Sequence, residues 1–130
     1  MPAQGTAHPT VLLRHERPDG SVHVDWLIGR DPAGQEPLVS FRIDDRVDNM
    51  TPGTMLPAVR IADHRARYLD YEGPIDADRG SVRRLARGSA SVIGDPDSSA
   101  WAIDVHWLSA SQKLALERID GDRWQIRVVE

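Results

Sequence analysis

The chain has no cysteine, a single lysine, no excess of positive charge and no long apolar run. Without cysteine, disulfides, zinc-thiolate sites and cysteine nucleophiles are all excluded, in keeping with a reducing compartment. No segment approaches the roughly 20 apolar residues a membrane helix needs, and the first ten residues hold no apolar stretch of signal-peptide length. A soluble, cytoplasmic protein with no membrane contact is therefore expected. A formal net charge of −4 argues against a protein that holds nucleic acid by bulk electrostatics. It leaves room for a local basic pocket, because fifteen of the sixteen basic residues are arginines. Arginine's planar fork suits bidentate contacts with phosphate. A GC-rich genome would write the same excess of arginine codons, and composition does not separate the two origins.

What remains is a chain of 130 residues with 40% hydrophobic and 28% charged residues, enough for one globular domain with one core. Residues 1–9 are rich in proline, glycine and small residues and read as a flexible arm; residues 10–130 read as the domain. Residues 10–15 form a strand, closed by the turn Arg17-Pro18-Asp19-Gly20. In 21–28, Val22, Val24, Trp26 and Ile28 share one face, and His23 and Asp25 share the other. A third strand covers 37–43, with Leu38, Ser40 and Arg42 opposite Val39, Phe41 and Ile43. A polar loop over 44–54 precedes a short strand at 58–61. Residues 81–93 read as two strands meeting near Arg87-Gly88, with Arg83 and Arg87 on one face and Arg84 on the other. Beyond the turn 95–99, Trp101, Ile103, Val105 and Trp107 alternate with Ala102, Asp104 and His106. Residues 113–119 and 123–129 flank the hairpin signal Asp120-Gly121-Asp122. Residues 64–69 admit one helical turn, and 110–117 are ambiguous. Short strands separated by turn chemistry, with no helical stripe, predict an all-β, single-domain antiparallel β-barrel with at most short helical turns.

Chemistry concentrates in two motifs. His23-Val24-Asp25 places an imidazole and a carboxylate on one strand face, where they can grip one metal ion. His15 ends the preceding strand, and a hairpin return brings it near them, since paired strands lie about 5 Å apart. Two imidazoles and a carboxylate suit Mn²⁺, Fe²⁺ or Zn²⁺. Asp104-x-His106 repeats the spacing in reverse order opposite an apolar face and is expected to face solvent. The second motif, Asp63-His64, lies where a strand gives way to irregular chain, a favoured place for a catalytic side chain. A separate histidine of this kind serves as proton donor or charge stabiliser. Arg65 and Arg67 beside it can clamp a phosphate, or simply be solvated.

These residues resemble a known family. Arg14-His15-Glu16, His23-Val24-Asp25, Asp63-His64, Tyr68 and Tyr71-Glu72-Gly73 are similar to the motifs of the 3′-phosphoesterase domain of bacterial DNA ligase D and its stand-alone relatives. That family carries a histidine in a Lys-His-Asp context, a His-Tyr-Asp strand, and an Asp-His pair followed four residues later by Tyr and then by Phe-Glu-Gly. The match covers roughly residues 11–94. The resemblance implies a manganese-holding β-barrel that trims DNA or RNA 3′ ends, removing a 3′-phosphate or a terminal ribonucleoside. It implies His15, His23 and Asp25 as metal ligands, His64 as transition-state stabiliser or general acid, and Tyr68 as a phosphate contact. Arg42 stands near the position of a strand lysine in the family. The departures are specific. His15 and His23 are eight residues apart rather than six, Leu27 replaces an arginine, and Ala62 replaces a glutamate. Arg60, Arg65 or Arg67 are the candidates to compensate for the missing arginine.

The expectation is thus a phosphoesterase dependent on Mn²⁺, with Zn²⁺ or another divalent transition metal as alternatives. Its substrate would be a nucleic-acid 3′ end, and its partners a DNA-repair ligase or polymerase. The rival expectations are a catalytically degenerate barrel that serves as a nucleic-acid or repair-complex binding module, and a small-molecule phosphate-binding barrel.

Overall fold

The computed structural model describes residues 7–75 and 78–130. Among these residues nine strands form one sheet: β1 (His8–Glu16), β2 (Val22–Ile28), β3 (Leu38–Ile43), β4 (Met55–His64), β5 (Gly73–Pro74), β6 (Ser81–Ile93), β7 (Ala100–Trp107), β8 (Ser111–Asp120) and β9 (Arg123–Val128). β1 to β4 run as an antiparallel meander, β4 pairs with β9, and β9, β8, β7 and β6 follow in reverse. β6 then pairs with β1, which closes an eight-stranded barrel and leaves no open edge in it. β5 lies outside the circle, on the free side of the start of β6. Among the described residues the helical content is two single 3₁₀ turns, Val47–Asn49 and Ala66–Leu69. The all-β barrel expected from the alternation is what the chain forms.

Alternation sorts the side chains. Val24, Trp26 and Ile28 of β2, Val39, Phe41 and Ile43 of β3, and Trp101, Ile103 and Val105 of β7 point into the barrel and are buried. Phe41 sits among three tryptophans, with ring centres 6.2 Å from Trp26, 6.2 Å from Trp101 and 5.5 Å from Trp124. Gln112 is tied to the first 3₁₀ segment: its side-chain amide donates to the Val47 and Met50 carbonyls, while its oxygen accepts from the Trp107 indole.

A second, smaller cluster lies on the outside of the barrel. Val11 and Leu13 of β1, Leu27 of β2, Leu38 of β3 and Val82 of β6 are covered there by Leu69, with Tyr68, Tyr71 and Ile75 packed around them. The 3₁₀ turn and the chain after it therefore roof one patch of the outer face. Polar groups beneath that roof are cut off from water and must find partners.

Several boundaries differ from expectation. β1 begins at His8, inside the expected arm, where the Pro9 carbonyl accepts from the Gly29 amide (2.8 Å) and His8 Nδ1 bonds the Gly29 carbonyl (2.8 Å). The first six residues of that arm lie outside the described residues. β4 runs for ten residues, not four, because its first half pairs with β9 and its second half with β3. Residues 81–93 are one strand that exchanges partners: β1 pairs with 81–90, and β7 joins from Gly88 onward. Close approach explains that glycine, since a Cβ there would lie 2.5 Å from the His106 carbonyl oxygen. A bulge also shifts the β1–β6 register, so that Leu12 faces Ala86 while Leu13 faces Arg84. The bulge inverts the expected alternation. Arg84 and Arg87 share the outward face and both reach the Leu69 carbonyl, at 3.3 and 3.5 Å.

Candidate metal centre and the basic cavity beside it

β1 and β2 are joined by a tight connection over 17–21, in which Arg17 and Ser21 bond backbone to backbone. Its length sets the register, placing His15 directly opposite His23 and Leu13 opposite Asp25. The eight-residue separation of the two histidines is thus what this hairpin requires for a cross-strand pair. All three polar residues stand on the outward face beneath the roof. His23 is 8% exposed and Asp25 1%.

Their ligand atoms converge. His15 Nδ1 lies 3.1 Å from His23 Nε2 and 3.5 Å from Asp25 Oδ2, and His23 Nε2 lies 3.0 Å from Asp25 Oδ1. One atom from each of the three lies within 4.8 Å of the others. Despite its closeness, His23 is not aligned to donate to Oδ1, and that buried oxygen has no hydrogen-bond partner among the described residues. A buried carboxylate whose unpartnered Oδ1 faces His23 Nε2, and whose Oδ2 faces His15 Nδ1, is a donor set that a divalent cation satisfies. The residues fit a metal ion. Burial alone would raise the Asp25 carboxyl, but the His23 and His64 imidazoles outweigh it and hold it down at about 2. The group is a carboxylate throughout the neutral range.

His64 reaches the same carboxylate, with Nε2 3.6 Å from Asp25 Oδ2. Simple alternation along β4 would point it into the barrel. A bulge opposite β3 prevents this, pairing Ser40 with Ile61 but Leu38 with His64, so that one extra residue turns His64 outward. The fully buried Ser40 hydroxyl secures the bulge by accepting from the His64 amide (3.1 Å) and donating to the Leu38 carbonyl (2.9 Å). Beyond His64 the rings of Tyr68 and Tyr71 follow edge to face, at 5.7 and then 5.8 Å between centres. Arg67 lies over both, 5.3 Å from the Tyr68 ring and 4.5 Å from the Tyr71 ring. The Tyr71 hydroxyl donates to the Pro74 carbonyl.

A cavity of about 290 Å³ opens at this point, lined by His15, His64, Arg65, Arg67, Tyr68 and Arg79. The expected arginines divide among three places. Arg65 and Arg67 line the cavity. Arg60 does not: it lies over the Phe41 ring and is engaged by the Pro96 carbonyl (3.0 Å) and Asp97 (3.2 Å). Arg42 stands opposite Asp25 on β3 but lines a separate groove of about 340 Å³ with Met55, Val59 and Trp124. That groove is larger, but the charged groups on its wall are Arg42, Asp44 and Arg123, with no histidine among them, whereas the smaller cavity adjoins the His15, His23 and Asp25 group. Leu27 is fully buried in the outer cluster, and Ala62 is exposed at the cavity wall. Asp104 and His106 point away from the barrel interior, and exposed His106 bonds the Ser111 hydroxyl (2.8 Å).

Ser40 and Arg79 were not singled out by the sequence. Ser40 reads as one polar position in an apolar strand. Arg79 is marked only by the glycine that follows it.

Fold and site together define a closed antiparallel barrel that carries a two-histidine, one-carboxylate group on its outer face, with a fourth polar residue, His64, at a basic cavity. No protein-family model matches the chain, and no curated protein matches it.

Proposed function

We propose that this protein is a divalent-metal-dependent phosphoesterase acting on nucleic-acid 3′ ends, removing a 3′-phosphate or a terminal ribonucleoside. The observation that carries this reading is the meeting of His15, His23 and His64 on the single buried carboxylate of Asp25, at the wall of an arginine-lined cavity. His15, His23 and Asp25 would hold the ion, with manganese favoured by the family resemblance. When bound, it supplies Lewis acidity toward a phosphoryl oxygen. The remaining work falls to the chain. Asp25, ionised at neutral pH, supplies the negative charge that holds a cation. His64 Nδ1 faces the Ala62 carbonyl at 3.3 Å, which leaves Nε2 directed toward Asp25 and the cavity. In its protonated form that Nε2 donates to a phosphate oxygen or to the departing group. Arg65 and Arg67, which line the same cavity, neutralise the phosphate. The stacking of Arg67 on two tyrosines holds its guanidinium in place without consuming its charge. A role at 3′ ends fits a place beside a repair ligase or polymerase in the cytoplasm, and no described helix is long and apolar enough to cross a membrane.

One observation favours a second reading. Leu27, where the family resemblance calls for an arginine, is fully buried in an apolar cluster. A barrel that has lost a phosphate contact can persist as a binding module for nucleic acid or a repair complex. The test is a trimming assay with Mn²⁺ on a primer–template ending in a 3′-phosphate or a single ribonucleotide, with wild type and His64→Ala side by side. Metal-dependent trimming that disappears in His64→Ala is the expected result. A folded, Mn²⁺-loaded protein that trims neither end but retains the oligonucleotide supports the binding module. Turnover of free phosphate esters alone points to a small-molecule enzyme.

A further inference from the structure

The second nitrogen of His15 has a partner from far along the chain. Its Nε2 lies 2.9 Å from the carbonyl oxygen of Arg79, 64 residues away. A carbonyl can only accept, so Nε2 is the donor and carries the ring proton. In a neutral imidazole this leaves Nδ1 as a bare lone pair. Nδ1 is the atom that faces His23 and Asp25.

Gly80 brings the Arg79 carbonyl to that point. It has φ +94°, and a Cβ on it would fall 1.9 Å from the Glu16 carbonyl oxygen and 2.9 Å from the Glu16 carbonyl carbon. No side chain fits there, because the obstacle is backbone. The chain at Gly80 is pressed against the end of β1, one residue beyond His15. It is held there by the Ile75 amide, which donates to the Gly80 carbonyl (2.7 Å), and by the pairs Glu16↔Ser81 and His15↔Val82 that follow.

We propose that Arg79 and Gly80 are positioning residues for the metal centre. The Arg79 carbonyl fixes the tautomer and ring orientation of His15, and the missing Cβ of Gly80 allows the approach. This inference rests on the metal-centre reading above. Outer partners of this kind tune ligand basicity, and losing one typically costs roughly 10- to 100-fold in metal affinity.

Gly53 provides a matched control. Its φ is +93°, nearly that of Gly80, yet a Cβ there meets nothing within 4 Å. Gly53→Ala and Gly80→Ala therefore place alanine at a similar positive φ, and only Gly80→Ala meets backbone that would move the Arg79 carbonyl. Mn²⁺ titration calorimetry and the visible spectrum of the Co²⁺-substituted protein would be recorded for both. Gly80→Ala should lose roughly 10- to 100-fold in Mn²⁺ affinity and shift the Co²⁺ spectrum, while Gly53→Ala changes neither. A direct measurement covers the case in which Gly80→Ala fails to fold. Long-range ¹H–¹⁵N spectra of metal-free wild type should find the His15 ring proton on Nε2 and Nδ1 bare. A proton on Nδ1, or a folded Gly80→Ala with wild-type Mn²⁺ affinity, overturns the proposal. Wild type that takes up no Mn²⁺ brings down the metal-centre reading and this role with it, a failure separable from the first because the tautomer is read without metal.

Discussion

Two strands of this barrel carry a histidine and an aspartate two positions apart on the outward face, and they meet opposite fates. On β7, Asp104 and His106 stand on an unroofed surface, where His106 bonds a neighbouring serine. On β2, His23 and Asp25 share the face of Leu27, which packs in the cluster roofed by Leu69 and Tyr68, and are almost wholly removed from water. The inward faces of the two strands are alike: Trp26 and Ile28 on one, Trp101 and Ile103 on the other, all in the same core. Strand pattern therefore does not distinguish a site from a surface. The roof does, because burial turns an ordinary polar pair into groups that need a partner, and the hairpin register supplies His15 while a bulge supplies His64.

The comparison can be tested at several strengths. His64→Ala should lower 3′-end turnover by roughly 10²- to 10⁴-fold, the usual worth of a positioned proton donor. His106→Ala should leave turnover unchanged, and steady-state rates on one substrate settle both. For stability the large effect lies inside the barrel. Phe41→Ala, which empties the centre of the tryptophan cluster, should cost about 3–5 kcal/mol in denaturant unfolding, whereas His106→Ala should stay within about 0.5 kcal/mol. Equal losses would mean that the outer face is as tightly packed as the core.

A smaller effect concerns pH. The Asp25 carboxyl is held at about 2 in the folded chain, against 3.8 for the free group. Its contribution is complete above about pH 4 and is lost as pH falls toward 2, because over that span the unfolded chain takes up a proton that the folded chain refuses. The difference is worth about 2 kcal/mol. Metal-free wild type should lose that much more stability than Asp25→Asn between pH 4 and 2, as urea midpoints would register. Parallel pH profiles for Asp25→Asn and wild type would indicate that Asp25 is solvated.

Much of this was legible in the sequence for local reasons. A period of two in β2, β3 and β7 fixed their inward faces, and the turn chemistry around Gly20 and Gly121 marked where strands reverse. His15, His23 and Asp25 could be grouped because a hairpin is a local object whose register follows from its turn. Properties that belong to two strands at once were not legible. The bulge that puts Arg84 and Arg87 on one face arises from the pairing of β6 with β1, strands separated by more than sixty residues. The bulge that turns His64 outward depends on Ser40 in the neighbouring strand. For the same reason Arg79, which meets His15 only after the barrel closes, left no mark beyond the glycine beside it.

The central claim is that the buried pair on β2, and not its counterpart on β7, belongs to a metal centre. Mn²⁺ titration calorimetry on wild type, Asp25→Asn and Asp104→Asn tests it most directly. Wild type and Asp104→Asn should each bind one equivalent with the same affinity, and Asp25→Asn should bind none. Undiminished binding by Asp25→Asn, or no stoichiometric binding by wild type, would contradict it.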